Sequence, residues 1–393
     1  MQFDFLPIPR IYFGLHKFQD IGSFILEFGS RVFLVASESA LKSNAELKKI
    51  LNDSTSELGY EISTYFIKGE PTIEIIDSGV EEAKGFNSDV ILGLGGGSVL
   101  DSSKAIAALV TNGGSALDYM EVIGKGILIS KPPLPIIVAP TTAGTGSEVT
   151  KNTVIFAKDD KLKASIRSLL LIPKIAIIDP NLMLSLPPNV TATCGMDALT
   201  QLIESYTSNK SHPITDTLAI LGIQRVLKSL PIAYQNGQSY EAREDMALAA
   251  LLSGICLANV GLGAVHGFAS PMGGLNIPHG VICSALLAPT IEVNIKELQN
   301  KSPNSSILVK YSNIGRLISG KSSSTQVEDH EVLIEYLRKL TQDLKIPSLS
   351  KYGMIESDIP LIVEKAKQAS SMRYNPITLS DSALTSILEQ VIG

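Results

Sequence analysis

The chain has 393 residues, past the size at which one hydrophobic core keeps growing, so two domains are expected. With 45% hydrophobic and 18% charged residues it is not a disordered chain, and a net charge of -6 without a basic run excludes a dedicated nucleic-acid binder. Its three cysteines, Cys194, Cys256 and Cys283, are too few and odd in number for a disulfide framework, and they read as reduced core residues of a cytoplasmic protein.

The opening Met1-Gln2-Phe3-Asp4-Phe5 has no basic segment followed by an apolar one, so no signal peptide is expected. Beyond it, short apolar runs alternate with helical stretches. Residues 32–36, 62–67, 90–94, 134–139 and 175–178 have the continuous apolar character of strands buried on both faces, and residues 72–84 and 99–109 have helical spacing. This alternation predicts a mostly parallel sheet covered by helices on both sides. After Asp179-Pro180 the character changes, and Pro187-Pro188 make a natural break. Helices are then predicted over residues 191–208, 214–230, 240–258, 281–295 and 332–344, with surface loops at 301–305 and 320–325. The expected organisation is an α/β domain, residues 1–186, followed by an all-α domain, residues 187–393. Residues 246–291 contain no Asp, Glu, Lys or Arg, yet Asn259, His266, Asn276, His279 and several glycines interrupt them, so they read as buried helix and loop and not as a membrane span.

Two glycine-rich segments end apolar strands. The first is Gly95-Gly96-Gly97-Ser98, which opens a helix carrying Asp101 and Lys104. Glycines there let the backbone approach a pyrophosphate, in conformations that glycine adopts readily, and the helix N-terminus offers N–H groups and a positive dipole end. The second, Thr141-Thr142-Ala143-Gly144-Thr145-Gly146-Ser147-Glu148, lies at a strand's carboxyl end, where open α/β sheets bind ligands. Together they read as a nucleotide site. Further on, Asp197 and Gln201 stand four residues apart on one helix face, and His266 and His279, two of only five histidines, lie in the charge-free segment, where burial without partners would be costly. Asp197 with the two histidines reads as a metal-ligand set.

These segments resemble the motifs of the iron-containing (group III) alcohol dehydrogenase family, over nearly the whole chain from Phe5-x-Pro7-x-Pro9 onward. The resemblance implies a Rossmann-like N-terminal domain, a helical C-terminal domain in a dehydroquinate-synthase-like architecture, and NAD or NADP in the cleft between them. It implies that Gly95, Gly96, Gly97 and Ser98 hold the pyrophosphate with Asp101 nearby. Thr141, Thr142, Thr145, Ser147 and Lys163 would line the ribose and nicotinamide. NAD-preferring relatives carry an Asp near Ala36-Ser37-Glu38-Ser39; Ser37 at that place would tolerate NADP, whereas Glu38 would favour NAD.

The segment Gly195-Met196-Asp197-Ala198-Leu199-x-Gln201-x-x-Glu204 resembles the motif in which an Asp and a His four residues later bind the metal, with Gln201 here in place of that histidine. His266 and His279 match the remaining ligand motifs, while Ser270 replaces a family histidine tied to proton movement. The expected ligands of Fe²⁺ or Zn²⁺ are therefore Asp197, Gln201, His266 and His279. A histidine introduced at 201 would complete the family set. Without metal, Gln201 and His266 would stabilise the reacting oxygen, and His279 or a water chain would relay the proton. The implied reaction is reversible hydride transfer between an alcohol and its aldehyde or ketone, by a homodimer with no membrane or nucleic-acid partner. Maleylacetate-reductase-like or glycerol-dehydrogenase-like chemistry is the alternative within this architecture. A nucleotide-binding sensor with a decayed catalytic site is the alternative outside it.

Overall fold

A computed structural model describes residues 2–160 and 162–392. Among the described residues the strands are β1 (Arg10–Phe13), β2 (Arg31–Ser37), β3 (Glu61–Ile67), β4 (Val90–Gly95), β5 (Ile136–Pro140), β6 (Asn152–Ala157), β7 (Leu162–Arg167) and β8 (Ile175–Ile178). Six of them form one sheet in the order β1-β8-β5-β4-β2-β3, with every neighbouring pair parallel. The five strands expected from continuous apolar runs are all in it. β1 escapes that criterion because its Arg-Ile-Tyr-Phe sequence is only half-buried at a sheet edge. The antiparallel hairpin β6–β7 escapes it because burial alternates along it, as on a one-sided sheet.

β4 is buried along its whole length, between β2 and β5. From β2 the chain moves outward to β3, then returns to lay β4 on the other side of β2. The carboxyl end of β4 is thus the switch point at which open parallel sheets receive ligands. Leu34, Leu92 and Ile137, on three adjacent strands, are 2% exposed or less and form the centre of the core on one sheet face.

The chain divides into two compact units: Leu6–Pro187 with Asn236–Ala247, and Met1–Phe5 with Pro188–Gln235 and Leu248–Gly393. The second is helical. Pro188 opens its first helix, Pro188–Thr207, where a missing N–H costs nothing because the first helical N–H groups have no intrahelical partner anyway. The charge-free stretch supplies the later part of Tyr240–Val260, all of Ala264–Met272 and the start of His279–Lys301, and is mostly buried. Among the described residues no single helix is long and apolar enough to cross a membrane. Tyr240–Val260 and Ala264–Leu275 meet that criterion only jointly, and they are bent by 95° at their break.

Helices Pro188–Thr207 and His279–Lys301 approach closely at Gly280, where a Cβ would lie 2.6 Å from the Thr193 carbonyl oxygen. Backbone cannot retreat as a flexible side chain can, so only glycine fits. His279 is the neighbour of Gly280, and Asp197 lies one helical turn beyond Thr193, so the close approach stands beside the Asp197–His279 pair. Gly280→Ala should therefore cost about 1–3 kcal/mol of stability through overpacking. Gly85→Ala, whose Cβ would meet nothing within 4 Å, should be neutral or slightly stabilising. Urea unfolding followed by circular dichroism checks both, and an unaffected Gly280→Ala protein would show that the two helices are free to separate.

Candidate functional site

Helix Gly97–Asn112 begins directly beyond β4 with Gly96 as N-cap, and no side chain caps it. A helix end without a side-chain cap at a sheet's switch point is an anion-binding arrangement. The glycines serve space and not conformational freedom: Gly96 has φ -80°, and none of Gly95, Gly96 and Gly97 has positive φ. A Cβ on Gly96 would lie 3.1 Å from Thr142 Cγ2, and one on Gly97 would lie 2.8 Å from Thr145 Oγ1. The structure thus brings the first loop against Thr142 and Thr145 of the second. Thr141 continues β5 and bonds through its N–H to the Gly95 carbonyl at 2.9 Å.

Asp101 and Lys104 hold this arrangement from below. The wholly buried Lys104 Nζ donates to Ser147 O at 3.0 Å, Thr150 Oγ1 at 3.1 Å and Asn152 O at 2.6 Å, and lies 3.2 Å from Asp101 Oδ1. Asp101 accepts from Ser147 Oγ at 2.5 Å and from Val154 N–H at 2.9 Å. Asp101 and Ser147, both expected beside the cofactor, are brought together, but their side chains face each other. Lys163 lies 2.8 Å from Glu70 Oε1 in an ion pair. Ser37 ends β2 and caps the helix Glu38–Ser43, accepting from Ala40 N–H at 3.3 Å. The following Glu38 pairs with Lys42 at 2.6 Å and Lys68 at 3.6 Å.

The metal-type residues converge in the helical unit. Helix Pro188–Thr207 carries Asp197, helix Ala264–Met272 carries His266, and helix His279–Lys301 carries His279 and Cys283. One ligand atom from each of these four residues lies within 4.8 Å of the others. Both His266 Nε2 and His279 Nε2 are 3.4 Å from Asp197 Oδ1, which is buried and has no hydrogen-bond partner. His266 Nδ1 is 2.6 Å from Glu204 Oε2, and Glu204 also accepts from Val265 N–H at 2.7 Å. With Nδ1–H donating to Glu204, a neutral His266 turns its Nε2 lone pair to the Asp197 carboxylate. Two acceptors face one another, and only a proton or a cation between them makes that favourable.

Gln201 does not join this set. Its Nε2 donates to Asp197 Oδ2 at 3.2 Å, and its Oε1 accepts from Ser253 Oγ at 3.0 Å. Burial opposes charge here, yet the neighbours overcome it. It would raise Asp197, but His279 and His266 hold that carboxyl well below its usual range. It would lower His279, but the Cys283 sulfur and Asp197 push that imidazole up to about 10, and His266 is raised by the same groups and Glu204. Protons and metal ions compete for these lone pairs, so a cluster that attracts one attracts the other.

The sequence reading gives two residues of this centre, Cys283 and Glu204, no part in the site. Cys283 is among the cysteines read there as core, a reading that holds for Cys256, whose thiol burial pushes up to about 12. Cys194 is only partly buried. The available signal was spacing: Cys283 follows His279 by four residues, as Gln201 follows Asp197. Glu204, two helical turns beyond Asp197, shares its face and holds the ligand histidine.

Glu148, buried in the second loop, yields a pH prediction. Burial, only partly offset by a backbone hydrogen bond and Lys104, pushes its carboxyl from the usual 4.5 to about 7. A raised folded pKa means the stabilising form is the protonated one, fully present below 4.5 and lost as pH rises to about 7. Relative to Glu148→Gln, the natural protein should lose about 2–3 kcal/mol between about pH 5 and about pH 8 in urea titrations. Parallel pH profiles for the two proteins would refute the shift.

Comparison with known proteins identifies the family of both parts of the chain. The family profile described as iron-containing alcohol dehydrogenase matches residues 8–180, and that of the C-terminal part of the same family matches residues 191–392. Alcohol dehydrogenase 4 of Saccharomyces cerevisiae is 32% identical over 389 residues, covering 97% of this chain and 96% of the yeast protein. The crystal structure of a 1,3-propanediol oxidoreductase superposes with TM-score 0.90 at 30% identity, covering 100% of both chains. Sulfoacetaldehyde reductase from Bifidobacterium kashiwanohense, solved in complex with NAD+, gives TM-score 0.86 at 26% identity, covering 100% of this chain and 99% of that one. With its parallel-sheet and helical units both matched, this chain belongs to the iron-containing alcohol dehydrogenase family.

Proposed function

We propose that this chain is an NAD(P)-dependent alcohol dehydrogenase that interconverts an alcohol with its aldehyde or ketone, using a divalent metal held by Asp197, His266 and His279. The observation that carries this reading is the buried Asp197 Oδ1, without a hydrogen-bond partner and 3.4 Å from two imidazole nitrogens. These distances fit a cation: tetrahedral zinc, with bonds of about 2.0–2.1 Å to nitrogen and oxygen, separates its ligands by about 3.3–3.4 Å. When bound, the cation supplies Lewis acidity toward an alcohol or carbonyl oxygen, and the nicotinamide takes or gives the hydride.

The chain's own residues bind and orient. Glu204 holds His266 through Nδ1 and thereby leaves Nε2 for the metal. Gln201 holds the second Asp197 oxygen, which fixes the carboxylate's rotation. The first N–H groups of helix Gly97–Asn112 bind the cofactor's pyrophosphate, and Thr142 and Thr145 stand beside them as hydroxyl donors. Reduction of a panel of aldehydes, followed by loss of NADH or NADPH absorbance and abolished by a chelator, tests the whole reading. In that assay Gly96→Val, which crowds Thr142 and the pyrophosphate path, should weaken cofactor binding by about tenfold or more with the helical content kept. A folded variant with an unchanged fluorescence titration would remove the first loop from the site.

We infer use of NADPH from the end of β2. Its last residue is Ser37, which has no charge to repel a 2′-phosphate, and Lys42 and Lys68 flank Glu38 with two positive charges. Ser37→Asp should move the NADH-to-NADPH ratio of kcat/KM toward NADH by about tenfold or more. An unchanged ratio would show that position 37 does not read the ribose.

A further inference from the structure

We propose that Cys283 is the fourth metal ligand and that its sulfur makes this a zinc site and not an iron site; the proposal rests on the metal reading above. The position that a family resemblance gives to a ligand histidine holds Gln201, whose two amide atoms are engaged by Asp197 and Ser253. The coordination position itself is filled from the facing helix. Cys283 Sγ lies 3.7 Å from His266 Nε2 and 3.6 Å from His279 Nε2. Tetrahedral zinc, with bonds of about 2.3 Å to sulfur and about 2.0–2.1 Å to nitrogen, puts those atoms about 3.6 Å apart. The two sulfur–nitrogen and two nitrogen–oxygen separations each match an edge of a zinc tetrahedron, and the remaining two separations are within 4.8 Å.

A hydrogen-bonding role alone accounts for this less well. A thiol has one proton, and it faces two imidazole nitrogens at nearly equal distance. Cys283 is also fully buried among helices that place an unpartnered carboxylate oxygen in the same cluster. His279 and Cys283 share one face of helix His279–Lys301, four residues apart, so one helix turn presents both donors. Replacing an imidazole by a thiolate changes which ion is held. Thiolate is a soft ligand that suits zinc, and Fe²⁺ stands well below Zn²⁺ in intrinsic affinity for such donor sets. The thiol proton leaves as the metal enters.

The test uses the full-length protein, stripped with a chelator and titrated with Co²⁺ as a spectroscopic stand-in for zinc. The expected result is visible absorption of a tetrahedral centre together with a near-ultraviolet thiolate-to-cobalt charge-transfer band. Cys283→Ser should lose that band and bind Zn²⁺ at least about tenfold more weakly, whereas Cys194→Ser should keep both. In anaerobic competition with equal Zn²⁺ and Fe²⁺, the natural protein should retain zinc. Gln201→His should bind zinc no more than about threefold more tightly, because the fourth position is already taken. Cobalt bound without the charge-transfer band, or iron retained in preference to zinc, overturns the role of Cys283. Should the Cys283→Ser protein fail to fold, the band in the natural protein still decides the matter. Aldehyde reduction by a protein that lacks the band leaves the proposed function standing without this ligand. A band in a protein that reduces no aldehyde supports the ligand and refutes the function.

Discussion

A carboxylate buried among apolar helices demands compensation, because removing it from water costs several kcal/mol even after the surroundings relax. Asp197 is 2% exposed, and it sits where three helices meet. Two imidazoles and the Gln201 amide answer its charge, and each needs a partner of its own. Glu204 holds His266, and Ser253 holds Gln201. The result is a connected polar set that links helices Pro188–Thr207, Tyr240–Val260, Ala264–Met272 and His279–Lys301. Gly280 lets the first and last of these come close enough for the set to close. What remains is the buried Asp197 Oδ1, without a hydrogen-bond partner and 3.4 Å from two imidazole nitrogens, and the proposed metal site rests on that atom.

The α/β unit solves a similar problem to a different end. Lys104 is wholly buried, and burial lowers its pKa against the pull of Asp101 and Glu148. Its ammonium finds three oxygen acceptors as well as Asp101, so its hydrogen-bonding capacity is met inside the protein. Such a satisfied centre has no capacity left for a ligand and acts as a clamp. It holds the second glycine-rich loop against the first helical turn, whose backbone N–H groups are the binding surface in the proposed function. Asp101 and Ser147 thus brace the two glycine-rich loops from behind.

Gln201 and Ser270 are the two polar positions of the helical unit at which this chain departs from the motifs it resembles. Taken alone, they suggest a site losing its metal. Cys283 changes that interpretation, because a donor absent from one helix is offered by the helix facing it. A ligand set is a property of points in space, and several sequences can supply the same four points. Sulfur in place of nitrogen also alters what the site prefers to hold, so the departure bears on metal identity as well as on affinity.

The central strands were legible in the chain because both faces of a parallel sheet are buried, which imposes unbroken apolar runs such as Val90 to Leu94. The glycine-rich loops were legible too, since close backbone approach excludes other residues. β1 and the β6–β7 hairpin left weaker traces, as half-buried strands mix polar and apolar residues. Asp197, His266 and His279 could be named because uncompensated polar groups are rare in apolar helices. Which atoms face each other could not be read from spacing alone. Gln201 lies one turn from Asp197 and yet turns its oxygen to Ser253, while Cys283, 86 positions from Asp197, comes into the same cluster. Periodicity along one helix determines which face a residue is on, and the sequence carries that directly. The partner that face meets depends on how helices distant in the chain pack, and only the tertiary structure decided it.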